Sequence, residues 1–139
     1  MTLSATFCRT VTVDGSPGPV RSLRTLLTSF LVDRSVPDET VRAVVLAFGE
    51  ALDNAWEHGT SGSGEVRVRV RYSPRFVVVS LLDPGSDKVP LGRPVVTTDA
   101  SERGRGFQLM NKLMDEVRVR SYPTGGTLVS MMRRLDGSR

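Results

Sequence analysis

Val66, Val68, Val70 and Tyr72 alternate with Arg67, Arg69 and Arg71, a period of two that predicts a strand with one buried and one wet face. Residues 76–82 form a mostly apolar run of strand length, which predicts the middle of a sheet, with Ser73-Pro74-Arg75 turning the chain between the two as a hairpin. An earlier β-branched segment, residues 4–13, predicts a strand that stops at the turn formers Asp14-Gly15-Ser16-Pro17-Gly18. Beyond Pro19 the period changes. Val20, Leu23, Leu26, Leu27, Phe30 and Leu31 recur at helical spacing and predict one buried stripe on a helix running to about Val32.

Ser35-Val36-Pro37-Asp38-Glu39 has the character of a second helix start, with proline in the first turn and two acids beside the positive end of the macrodipole. Val41, Val44, Val45, Phe48, Leu52 and Ala55 keep helical spacing as far as His58, where Gly59-Thr60-Ser61-Gly62-Ser63-Gly64 ends the helix. Residues 86–103 show no clear periodicity and carry prolines at 90 and 94, which predicts a long loop of the kind that often serves as a lid. Gly104-Arg105-Gly106 then opens a third helix through Phe107, Leu109, Met110, Leu113 and Met114. Residues 117–120 and 127–131 predict two further strands joined tightly by Thr124-Gly125-Gly126.

The order strand, helix, helix, strand, strand, helix, strand, strand predicts an α+β fold, a two-layer sandwich of a mixed, mostly antiparallel sheet with helices on one face. A length of 139 residues suits a single domain over residues 1–139. Hydrophobic residues at 39% and charged residues at 24% are ordinary for a globular protein. No apolar run approaches the roughly 18 residues of a membrane span, and the N-terminus lacks a secretion signal, so a cytoplasmic location is expected. One cysteine and one histidine build neither a disulfide nor a zinc site by themselves. The net charge of +4 permits an acidic partner of either protein or nucleic-acid type.

Three short constellations carry candidate chemistry. Glu50, Asn54 and His58 share one face of the second helix, each about 40° further round than the last. A carboxylate and an amide oxygen held a turn apart suit an attacking hydroxyl and a magnesium ion, although the same spacing also describes a solvent-facing stripe. Asp83-Pro84-Gly85 sets a carboxylate at the end of a buried strand, where it can accept hydrogen bonds from a base amine or simply mark a turn. Gly104-Arg105-Gly106 at a helix start offers backbone N–H groups and a positive dipole end to phosphates.

In that order the segments resemble a family. Glu50-Ala51-Leu52-Asp53-Asn54-Ala55-Trp56-Glu57-His58 looks like the N box of the gyrase, heat-shock chaperone and histidine-kinase (GHKL) ATPases, Asp83-Pro84-Gly85 like their G1 box, and Gly104-Arg105-Gly106-Phe107 like their G2 box. The small size, the Asn-Ala-x-x-His ending and Leu113-Met114-Asp115-Glu116-Val117 resemble the RsbW-like anti-sigma serine kinases within it. The resemblance implies the Bergerat ATP-binding fold, with ATP and Mg²⁺ as cofactors. It implies that Glu50 is the general base, that Asn54 helps hold Mg²⁺, and that Asp83 reads the adenine amino group while Gly85 leaves room for the base. Gly104 and Gly106 would contact phosphates, Arg105 would steady the γ-phosphate and Thr127 would support the adenine end. The implied partners are a sigma factor and a STAS-type anti-anti-sigma protein whose serine accepts the phosphoryl group, with a homodimer as the common assembly. Phe107 departs from the leucine usual in the G2 box.

Other readings use the same residues. A histidine kinase needs a separate phosphoacceptor helix, whereas His58, the one histidine, lies inside the N-box segment and reads as a helix-end residue. An ATP-binding regulatory module that sequesters its partner without transferring phosphate would share every nucleotide residue. The arginines at 67, 69, 71, 118 and 120, with Arg133 and Arg134, suggest a basic sheet face, but eight aromatic residues in all are few for a nucleic-acid stacking platform, so a solvated or protein-facing surface is expected there.

Overall fold

The computed structural model describes residues 5–12, 17–54, 64–83, 96–99, 105–122 and 126–135. Six strands and three helices follow one another as β1 (Ala5–Thr12), α1 (Pro17–Val32), α2 (Asp38–Asn54), β2 (Glu65–Ser73), β3 (Phe76–Asp83), β4 (Val96–Asp99), α3 (Arg105–Leu113), β5 (Glu116–Ser121) and β6 (Thr127–Arg134). The strands form one sheet in the order β1-β2-β3-β6-β5-β4. The predicted α+β sandwich is present, and its pairing is more uniform than a mixed sheet: every pairing between described strands is antiparallel. β6 therefore lies between β3 and β5 and joins the β1-β2-β3 half of the sheet to β5-β4.

Strand alternation decides which face the helices cover. Val66, Val68 and Val70 of β2, Val77, Val79 and Leu81 of β3, Val119 of β5, and Val129 and Met131 of β6 are buried. Leu23, Leu27, Phe30 and Leu31 of α1, Val44, Ala47, Phe48, Ala51 and Leu52 of α2, and Phe107 and Met110 of α3 complete the same core. Each large apolar side chain removed from water there contributes about 1.5–3 kcal/mol before chain entropy is counted.

The turn between α1 and α2 explains how they pack side by side. Ser35 takes a left-handed φ of 60°; its N–H bonds the Val32 carbonyl at 2.9 Å, and the Val36 N–H bonds the Leu31 carbonyl at 3.2 Å. These are the two hydrogen bonds of a Schellman cap, with buried Val36 packed below it. Arg34 closes the same end: its Nη1 donates to the Phe30 carbonyl at 2.7 Å, its guanidinium lies 3.7 Å from the centre of the Phe30 ring, and Phe7 of β1 meets that ring edge-on at 4.8 Å.

One expectation needs correction. Within residues 86–103, read above as loop, Val96–Asp99 forms the edge strand β4, paired with β5 from Val96 opposite Ser121 to Asp99 opposite Arg118. Four residues are too few to show a period of two, and the pairing partner supplies what local pattern cannot. The rest of that lid segment lies outside the described residues.

Candidate functional site

Two of the three constellations meet between α2 and α3, and the third lies at the end of β3 on the helix-covered face. Glu50 lies half-buried on α2, and half-buried Asn54 is the last described residue of that helix. Asp83 closes β3 and is buried, and its cross-strand neighbour in β6 is Thr127. Both side chains follow the inward alternation of their strands, so the residue pair expected at the adenine end occupies adjacent positions under the helices. Asp83 Oδ2 is sealed from solvent.

α3 supplies the third part. Arg105 is its exposed first residue and Gly106 its second. A Cβ built on Gly106 would stand 3.2 Å from Glu50 Oε2, tighter than an ordinary contact. Glycine is the residue that lets this helix start lie against the carboxylate. Phe107, the departure from the usual G2 pattern, is 2% exposed and anchors α3 in the core. It thus acts on packing, one residue beyond Gly106.

The far end of α3 is stitched to β6. Arg133 Nη1 donates to the Leu113 carbonyl at 2.5 Å, the Asp115 N–H bonds the Met132 carbonyl at 2.8 Å, and Asp115 Oδ2 accepts the Arg134 N–H at 2.7 Å. The segment from Leu113 to Val117 is therefore the junction that fixes α3 on the sheet, and with it the position of Gly106 against Glu50. A cation at a helix C-terminus is also favourably placed in the dipole field.

A neighbour missed by the sequence reading is Arg24 of α1. A Cβ on Gly49 would stand 2.5 Å from Arg24 Nη2, so the guanidinium lies over the α2 backbone one residue before Glu50. The signal was present: a glycine inside a helix costs about 1 kcal/mol relative to alanine and calls for a packing reason. Gly85, Gly104 and His58, named above on sequence grounds, lie outside the described residues. Two hollows lined by described residues, of about 340 and 490 Å³, both open on the opposite sheet face and contain none of Glu50, Asn54 or Asp83.

The residues present fit a nucleotide in kind. A glycine-lined helix start suits phosphate oxygens, a buried carboxylate at a strand end suits an amino group, and an amide oxygen a turn from a carboxylate suits a hydrated cation. The chain matches the histidine kinase-like ATPase domain over residues 13–133. It is 31% identical over 124 residues to an anti-sigma F factor of Pasteuria penetrans, covering 84% of this chain and 83% of that protein. It is 26% identical over 123 residues to the anti-sigma F factor of Bacillus subtilis, covering 84% of each. Among solved structures, part of a chain holding the RsbU and RsbW domains of a Mycobacterium tuberculosis protein shares its fold with a TM-score of 0.66 at 20% identity, covering 93% of this chain and 32% of that one. A chain of the SiaB-SiaC complex from Pseudomonas aeruginosa does so with a TM-score of 0.59 at 13% identity, covering 92% of this chain and 89% of that one. The chain belongs to the histidine kinase-like (GHKL) ATPase domain family and is a relative of the anti-sigma F factors.

Proposed function

We propose that this protein is an ATP-dependent serine/threonine kinase of the anti-sigma type, which phosphorylates a STAS-type antagonist and sequesters a sigma factor. The observation that carries the reading is the contact of Gly106 with Glu50. It joins the candidate base of one motif to the candidate phosphate-binding backbone of another, across α2 and α3.

In this reading Glu50 accepts the proton of the incoming serine hydroxyl, a role worth about 10²–10⁴ in rate. Asn54 offers its amide oxygen to Mg²⁺, which supplies neutralisation of phosphate charge when bound. Asp83, steadied beside Thr127, accepts from the adenine amino group, and Gly85 leaves space for the ring. Gly104 and Gly106 present backbone N–H groups to phosphate oxygens, and exposed Arg105 adds a positive charge at the same helix start. Little covalent chemistry is asked of the protein, because in-line positioning and charge neutralisation dominate phosphoryl transfer. We place the protein in the cytoplasm, as a homodimer; among the described residues no helix is long and apolar enough to cross a membrane.

The deciding experiment is calorimetric titration with ATP, with and without Mg²⁺, followed by transfer from labelled ATP to purified STAS-domain proteins. Saturable Mg²⁺-dependent binding with label on a partner serine is the expected result. Binding without transfer to any such partner would leave an ATP-sensing module that acts by sequestration alone. No binding by folded protein would end the nucleotide reading.

A further inference from the structure

The sheet face opposite the helices is organised in transverse rows that the nucleotide reading does not use. The register sets Arg67, Leu82, Leu128 and Arg120 side by side across β2, β3, β6 and β5; Arg69, Ser80, Ser130 and Arg118 form the next row, and Arg71, Val78, Met132 and Glu116 the third. The four central apolar side chains are half-buried, and the two described hollows meet at Leu128. Arginines border this apolar strip on both sides. On the described part of the face, six arginines, Arg134 among them, stand against Glu65 and Glu116, at opposite ends of the strip, and Asp99, at the register position opposite Arg118; Glu116 pairs with Arg118.

Dimensions and charge select the occupant. The arginine rows of β2 and β5 are three strand spacings apart, about 14 Å, and an α-helix with its side chains is about 10–12 Å across. Arginines on one strand repeat every second residue, about 7 Å, close to the roughly 6 Å rise between residues four apart on a helix. A second copy of this chain would set arginine rows against arginine rows. A nucleic acid would meet an apolar floor with Tyr122 as the one aromatic among the described residues lining the hollows. We infer that this face docks an amphipathic helix of a partner protein, its apolar stripe laid along Leu82, Leu128, Val78 and Met132 and its two flanks edged by acidic side chains that meet Arg67, Arg69 and Arg71 on one side and Arg118 and Arg120 on the other. The arginine stems cover the rim of the strip in the free protein and swing to pair when the helix docks.

The test uses the whole chain and a fluorescent synthetic peptide of about 18 residues, a leucine stripe flanked on both sides by glutamates, with a lysine-flanked twin as control. The glutamate peptide is expected to bind and to shift the amide signals of Ser80, Leu128 and Ser130, while its twin does not. The double variant Arg69→Glu, Arg118→Glu is expected to weaken binding roughly tenfold or more. The same variant keeps its melting temperature and its ATP affinity, and Arg21→Glu, on α1, leaves peptide binding unchanged. Equal binding of both peptides, no loss in the double variant, or equal loss in Arg21→Glu would overturn the inference. So would a DNA oligonucleotide that binds this face in place of the peptide, or a sedimentation shift showing that arginine reversal changes self-association.

Discussion

Gly106 and Glu50 touch across two helices: a methyl group on the glycine would stand 3.2 Å from Glu50 Oε2. Neither residue is near the other in sequence, so this contact is made by the packing of α2 on α3. Gly106→Ala separates folding from function. Alanine is a better helix former, so thermal stability should hold or rise by up to about 1 kcal/mol. The carboxylate must move by a few tenths of an ångström, and phosphoryl transfer should fall although the protein melts no earlier. Paired melting and transfer assays check this, and unchanged transfer would detach Gly106 from the site.

Glu50 and Asn54 sit one turn apart on α2 but are expected to fail differently. Glu50→Ala should keep ATP affinity within a small factor and lower transfer by about 10²–10⁴. Asn54→Ala should abolish Mg²⁺-dependent ATP binding itself. Calorimetry beside a transfer assay distinguishes them, and retained transfer in Glu50→Ala would remove that residue from the role of base.

Asp83→Ala tests the nucleobase end. Loss of one hydrogen bond to a charged acceptor should weaken ATP by about 1.5–3 kcal/mol, roughly 10- to 100-fold in Kd. The sharper readout is selectivity: preference for ATP over GTP should collapse. A variant that binds both nucleotides more weakly in equal proportion would point to a general structural role for this buried carboxylate.

Arg133 is a stability residue with a functional address. It is 6% exposed and holds the Leu113 carbonyl at the end of α3. Arg133→Met removes that charged donor and should cost about 1.5–3 kcal/mol in a urea titration. Arg133→Lys should recover part of it, since one donor can still reach the helix end.

Ser35 offers a gain in stability with no cost to the site. A non-glycine residue at φ 60° pays steric strain, about 1–2 kcal/mol. Ser35→Gly should stabilise by about 0.5–1 kcal/mol once glycine's greater unfolded-state entropy is set against that relief. The melting temperature should rise while ATP affinity stays unchanged.

Much of this arrangement is legible in the amino-acid sequence, for reasons that differ by element. The alternation of Val66, Val68 and Val70 with arginines, and the helical stripes of α1 and α2, are long enough for periodicity to declare the buried face. β4 is not legible in the sequence because Val-Thr-Thr-Asp is too short to carry a period and owes its form to β5. Glu50 and Asn54 stand out in the sequence because they share one face of the second helix a turn apart, and Asp83 because it precedes Pro84-Gly85 after an apolar run. The contact of Glu50 with Gly106 is not legible there, because nothing local in α2 reports that a glycine of α3 will lie against it. The partnership of Asp83 with Thr127 and the four-residue rows across the sheet depend on register, which only the pairing of β3 with β6 decides.

That β6 lies between β3 and β5 also governs when the protein can come into being on the ribosome. A nascent chain that has emerged only through β5 holds two half-sheets with no strand to join them, and α3 without the β6 contacts that fix its end. Pairings between strands distant in sequence pay their loop-closure entropy before they are rewarded. Residues 127–134 must therefore leave the exit tunnel before the end of α3 is fixed on the sheet and before Asp83 gains Thr127 as its neighbour. A chain stalled earlier in synthesis would expose its valine-rich strands without being able to bind the nucleotide that would stabilise the finished fold.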